Sequence, residues 1–506
     1  EIAQCLVGSE MCIRDSSYTR LLKENLNIQV VYDWTASTSD YDEKMSLCIG
    51  SNTIPEIMNV NATQYRALLK YDMIQPLDKY FDDYASDALK SYVKSGGEEL
   101  QKCITNEDGE LMAIPAPNLT AGGVNEMWIR QDWLDALGLD VPRTWDELAE
   151  VAKAFVTRDP DGNGENDTIG ILGPGNSDHM NAVGGNQFGL DPLFSCFQSY
   201  PQYWLKSEDG SVEYGSIQPE TKTALENISK LYADGVIDPE TLVRSDSKEP
   251  LLAGKVGIFF GPWWCAYTFA DTTLSGSADW RAYFTPLSED GKYYTHMAEP
   301  TTQYVVASKD CKNPEAAFKI INYIVANEQK WVEEGVTSTE MGTGDFYPLY
   351  NTYDNADEIE KSYEALTKYL AGDISMDDVD FSTHKLLKND MEAVTKLKKK
   401  PYDDFSLKYW NLDSDLAKTN LPRLVAIMVG DAPLVNEEYV PVYNAYNGQT
   451  ETMEAKWANL KKMEEETFAK IIMGKADISE FDTFVKNWKN QGGDQILKEI
   501  NDELSK

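Results

Sequence analysis

Two hydrophobic spacings alternate along the chain. Residues 28–32 (IQVVY) and 54–60 (IPEIMNV) are short runs rich in β-branched and aromatic side chains, the signature of strands. Residues 18–24, 41–49, 65–77 and 78–89 instead carry apolar side chains at helical spacing. MAIP at 112–115, the segment 125–129 and KVGIFF at 255–260 add strands, and residues 221–233 add a helix. Strand and helix in alternation predict an α/β fold with a parallel sheet.

Helix ends are marked in several places. Thr144 and Glu147 form a capping box, each side chain placed to accept the other's free backbone N–H. Leu148, Val151, Ala152 and Phe155 then share one face. Asn313 and Pro314 stand as N-cap and first helical residue before a face of Ala317, Ile320, Ile321, Ile324 and Val325. The C-terminal third is mostly helical in pattern, with Phe481, Phe484, Val485 and Trp488 on one stripe.

Length and charge narrow the function classes. A chain of 506 residues exceeds one ordinary domain, so two or more lobes are expected. The net charge of −38 repels polyphosphate and anionic headgroups, which argues against nucleic-acid and membrane-surface partners. None of the seven cysteines forms a C-x-x-C pair, so free structural thiols are expected, with Cys48 and Cys265 buried. No apolar run reaches the roughly 18 residues of a membrane span. Residues 1–16 (EIAQCLVGSEMCIRDS) read as an adaptor-like, non-native tract, with the fold pattern starting near Ser17 and a native leader and first strand lying upstream.

Several blocks resemble one family, the family 1 extracellular solute-binding proteins of carbohydrate ABC importers, in its large lipoprotein-type members. They are YDEKMSLCIGSNTIPEIMNV at 41–60, RQDWLDALGLDVPRTWDELAEVAKAF at 130–155, LLAGKVGIFFGPWW at 251–264, KNPEAAFKIINYIV at 312–325 and the C-terminal IIMGKADISEFDTFVKNWKNQGGDQILKEIN. The resemblance implies an α/β, two-lobed periplasmic-binding-protein-like clamp with extra C-terminal helices. Lobe one would be 17–122 with 298–345, and lobe two 123–297 with 346–506. It implies capture of a carbohydrate in an interlobe cleft, delivery to importer permease subunits, a monomer, an extracellular location with a lipid anchor, and no enzymatic activity.

A sugar site needs flat aromatic rings for C–H faces and amides or carboxylates for hydroxyl edges. By the resemblance, Trp263 in the Gly261-Pro262-Trp263 turn is the leading candidate, with Trp264 beside it; the bland alternative is a core tryptophan. Asp33 and Trp34 follow one predicted strand, and Asn59, Asn61 and Tyr65 follow the next, where strand ends border a crevice. Val60 stands where maltose-binding members carry a tryptophan. Trp128 and Glu299 lie near the expected crossings, and Tyr203 and Trp204 complete the candidates.

A second motif is chemical. DPDGNGEND at 159–167 places oxygen donors Asp159, Asp161, Asn163 and Asp167 at positions 1, 3, 5 and 9 of a calcium-type loop, with Glu165 between and Gly164 at position 6. Position 12 is Gly170 rather than glutamate. Structural calcium is the expectation, and a solvated acidic turn the alternative. No G-x-S-x-G, H-E-x-x-H or phosphate-loop motif occurs. A secreted glycan-degrading enzyme and a free-standing glycan-binding module stay open as other readings.

Overall fold

The computed structural model describes residues 2–3, 17–36, 38–175, 187–207, 209–276, 278–333, 349, 353–381, 384, 386–397 and 415–504. The chain divides into two compact units. The first holds Glu1–Leu119, Pro300–Glu358 and Asp380–Lys385; the second holds Thr120–Glu299, Ile359–Val379 and Leu386–Lys506.

The first unit is built on a four-stranded sheet in the order Ile2–Ala3, Ile57–Val60, Tyr304–Ala307, Ile114–Pro115. Ile2–Ala3 pairs parallel with residues 57–58, so this sheet reaches into the tract that reads as foreign. The rest of that tract lies outside the described residues. Tyr304–Ala307 runs antiparallel to both of its neighbours, so the sheet is mixed rather than parallel. The segment 28–32 is not a strand. Val30 and Tyr32 are buried while Gln29 and Val31 are exposed, so the alternation of faces survives without a ladder partner. The single helix expected over 65–77 ends at Lys70, and its start moves back to Ala62, where Asn61 caps it.

The second unit holds a mixed sheet in the order Ile169–Ile171, Val256–Gly261, Glu126–Arg130, Trp280–Tyr283. Ile169–Ile171 is parallel to Val256–Gly261, and the other pairings are antiparallel. The capping box at Thr144 forms as read, opening the helix Trp145–Thr157. Its Leu148, Val151, Ala152 and Phe155 all enter the core. The helices Glu451–Ile472, Glu480–Trp488 and Asp494–Leu504 close the same core with Phe468, Phe481, Phe484 and Trp488. Among the described residues, Cys48, Cys196, Cys265 and Cys311 are free thiols.

Candidate functional site

The strand Glu126–Arg130 (EMWIR) is buried along its whole length. Alternation sends Met127 and Ile129 into the main core and leaves Glu126, Trp128 and Arg130 on the opposite face. There Trp128 stacks on Phe259 with ring centroids 6.2 Å apart and meets the edge of Phe269 at 5.1 Å. Arg130 is compensated. Its Nε donates to Asp132 at 2.8 Å, and its guanidinium lies 4.6 Å from the Trp133 ring. Glu126 is not compensated: it is fully buried, and neither carboxyl oxygen has a hydrogen-bond partner among the described residues.

Glu126 lies opposite Gly261 in the ladder, and the chain leaves Gly261 through Pro262 into the single 3-10 turn Trp263–Cys265. Trp263 is 5% exposed, and its indole N–H has no acceptor among the described residues. Against this turn packs one turn of π-helix, Ala426–Gly430. Such turns recur at functional sites because they displace side chains from the regular helical positions. Gly430 is required here. A Cβ would lie 2.7 Å from the Trp263 carbonyl oxygen and 3.0 Å from the Trp128 ring. The next residue, Asp431, is fully buried, and among the described residues both its oxygens are also without partners.

One neighbourhood thus gathers two indoles and two bare carboxyl groups. Burial, then the charges of Asp431 and Glu437, holds Glu126 well above the usual carboxylate range. Burial, then Glu360, pushes Asp431 up to about 9. An unpartnered buried acid costs on the order of 1–3 kcal/mol or more. Buried polar groups left without partners are rare in folded proteins, and here two of them lie beside the buried rings of Trp128 and Trp263. Glu126 and Asp431 escape the sequence reading. A charged residue inside an apolar strand is the only signal for the first, and Gly-Asp after an apolar run the only signal for the second.

The remaining candidates fall into separate settings. Tyr203 is buried and donates to the Met297 carbonyl at 2.6 Å, its ring 4.6 Å from His296. Burial pushes that imidazole down to about 3, so it is neutral. Glu299 is half-buried, and its charge bears on Tyr203. Trp204 sits in the core against Tyr214, Trp457 and Trp488. Trp264 is half-buried.

In the first unit, Asp33 is exposed and Trp34 lies 5.4 Å from Tyr41. The Tyr41 hydroxyl donates to the Asn59 carbonyl at 2.7 Å, and the Asn59 amide donates to Gln303 at 2.6 Å. Trp34, Asn59 and Gln303 are therefore neighbours through Tyr41. Asn61 spends its side chain on the capping box with Gln64 and on Asp42. Tyr65 is buried and stacks on Tyr304 at 4.4 Å.

The acidic loop is exposed and cross-linked by its own amides. Asp159 accepts from the backbone N–H groups of Asn163 and Gly164, and the Asn163 amide donates to Asp161 and Asp167. Lys255 meets Asp167 at 2.8 Å. Gly170 is backed by Val236 and Ala152, whose carbonyl oxygens would lie 2.6 and 2.7 Å from a Cβ. No side chain fits there, which accounts for the missing twelfth-position glutamate. Among the described residues, no three His, Cys, Asp or Glu side chains converge as a ready metal-ligand set.

Residues 14–331 match the sequence model of the bacterial extracellular solute-binding proteins. The fructooligosaccharide ABC transporter substrate-binding protein FusA of Streptococcus pneumoniae is 30% identical over 246 residues, 45% of this chain and 43% of that protein. Lipoprotein LipO of Bacillus subtilis is 28% identical over 265 residues, 50% of this chain and 48% of its own. The chain thus spans about half the length of these two relatives. The polygalacturonan/rhamnogalacturonan-binding protein YtcQ of Bacillus subtilis is 24% identical over 90% of this chain and 82% of that protein. Among solved structures, an HMO binding solute-binding protein from Bifidobacterium longum infantis superposes with a TM-score of 0.59 at 16% identity, covering 98% of this chain and 96% of that one. The alginate-binding protein AlgQ2, solved without calcium ion, gives 0.57 at 16% identity over 100% and 97%. These likenesses show the mixed α/β fold of solute-binding proteins. With its matched residues covering more than half of the sequence, the chain belongs to the bacterial extracellular solute-binding protein family, whose members bind and do not catalyse.

Proposed function

We propose that this protein captures an oligosaccharide outside the cell and hands it to the permease subunits of an ABC importer. The observation that carries the reading is the group formed by Trp263, Trp128, Glu126 and Asp431. Flat indoles suit the C–H faces of a sugar ring, and unspent carboxyl oxygens suit its hydroxyl edge. Trp34, Asn59 and Gln303 of the first unit offer the same two chemistries. The names of FusA and YtcQ, both of which bind glycans, support the ligand class, and that of LipO supports a lipid anchor on the cell surface. The test is calorimetric titration with a panel of oligosaccharides. Trp263→Ala should lose at least about tenfold in affinity while keeping the circular dichroism of the parent. An unchanged affinity would refute the site.

We also infer a structural calcium ion at the loop 159–167, held by oxygens of Asp159, Asp161, Asn163, Glu165 and Asp167. The donor set is all oxygen, the chemistry calcium takes. Burial, then the neighbouring Asp159 and Asp167, holds the Asp161 carboxyl above its usual range, a repulsion that a cation relieves. A FusA variant bearing an EF-hand mutation and AlgQ2 without calcium are both known structures, which supports the same reading. Chelation should lower the melting temperature by several degrees, on the order of 1–2 kcal/mol. No shift, with no calcium by elemental analysis, would refute it.

A further inference from the structure

Resting on the oligosaccharide reading, we propose that the second unit carries a carboxylate-binding subsite beside the Trp263 turn, in which the Arg423 guanidinium takes the acid group of a uronic-acid residue. Three helices build it. Asp415–Val425 carries Arg423 and runs straight into the π-turn that packs on Trp263. Ala266–Leu274 starts directly after the Trp263–Cys265 turn, packs on Asp415–Val425 and carries Tyr267. Leu387–Leu397 carries Asp390. Arg423 Nε donates to both Asp390 oxygens, at 2.9 and 3.0 Å. The Tyr267 hydroxyl bonds to the same guanidinium. Arg423 Nη2 is left buried, without an acceptor among the described residues.

A guanidinium offers its N–H donors in a rigid planar fork that matches the two oxygens of a carboxylate. Asp390 takes only the Nε, so the Nη2 donors are unspent. A carboxylate is the acceptor that gains most there, because the bond is charge-assisted. Tyr267 is the cover. It is 49% exposed, and turning its ring into solvent opens the guanidinium. A second cation stands on the same flank, since the Lys248 charge reaches Cys265 of the Trp263 turn. The acids of the Trp263 site do not oppose an anion. Burial holds Glu126 and Asp431 toward their protonated forms, which donate an O–H. Gly430, which touches Trp263, follows Arg423 by about 10 Å along the helix axis. The uronate therefore neighbours the sugar on Trp263 rather than replacing it. The net charge of −38 repels an approaching anion, but salt screens that field beyond about 8 Å, so the local contact decides.

The experiment titrates the full chain with trigalacturonate and with its methyl ester, which differ only in charge, and with a neutral fructo-oligosaccharide alongside. The acid should bind at least about tenfold tighter than its ester. Arg423→Gln combined with Asp390→Asn removes the buried pair together, so neither partner is stranded. That double variant should erase the preference by weakening the acid alone. Arg423→Lys, which keeps the charge and loses the fork, should reduce the preference in part. Equal binding of acid and ester by the wild type would overturn the subsite while leaving the oligosaccharide reading intact, as would binding of the neutral oligosaccharide alone. A preference that survives in the double variant would overturn the role given to Arg423. Binding of no glycan at all would sink the oligosaccharide reading itself.

Discussion

Glu126 and Glu464 are both fully buried glutamates of the second unit, and they differ in what surrounds them. Glu464, on the helix Glu451–Ile472, accepts from the Tyr214 hydroxyl and the Ser216 hydroxyl, each at 2.8 Å. Tyr214 in turn stacks on Trp488 at 4.8 Å. Glu464 thus fastens the C-terminal helices to the body of the unit. Glu126 has the same burial and no hydrogen-bond partner among the described residues. Burial of an acid alone therefore says little about function. Burial without partners, beside indoles and a π-turn, is what sets the proposed site apart from a staple.

The contrast makes opposite predictions. Glu464→Leu leaves two buried hydroxyls without an acceptor and should destabilise the protein by about 2–5 kcal/mol, read as a lower denaturation midpoint. Glu126→Leu removes an uncompensated group. It should leave the midpoint unchanged or raise it by about 1 kcal/mol, while impairing ligand binding. Equal losses of stability would erase the distinction. Gly430→Ala should cost about 1–3 kcal/mol, because the added methyl meets the Trp263 backbone and the Trp128 ring.

The smallest effect is on pH dependence. Burial pushes Glu464 up to about 7 despite its two donors. The folded state then binds a proton that the unfolded state, near its ordinary 4.5, releases first. This contribution to stability is fully present below about pH 4.5 and is lost as pH rises through about 7. The difference in melting temperature between wild type and Glu464→Gln should therefore change across that window and flatten above it. A pH-independent difference would place the Glu464 proton elsewhere.

Local structure was readable where one segment decides it. The capping box at Thr144 and the faces of Phe481, Phe484 and Trp488 depend on residues a turn apart, and they form as written. The segment 28–32 shows the limit, since alternation sets which side chains are buried but not whether a neighbouring strand exists. The sheets are mixed because strands far apart in sequence, such as Glu126–Arg130 and Val256–Gly261, pair antiparallel, which no local pattern encodes. Site residues were harder still. Trp204 and Trp263 look alike in sequence, yet one is wedged among Tyr214, Trp457 and Trp488 and the other sits by two bare carboxyls. The packing beside Glu126 depends on the close approach that Gly430, distant along the chain, permits to Trp263 and Trp128.

The account's central claim is that the Trp263 neighbourhood holds a glycan, and one titration tests it most directly. Neutral oligosaccharides are injected into the wild-type protein and into Trp263→Ala, with heat and tryptophan fluorescence followed together. The account predicts saturable binding with a fluorescence change in the wild type, and at least about tenfold weaker binding in the variant. Equal affinity in the two proteins would contradict it.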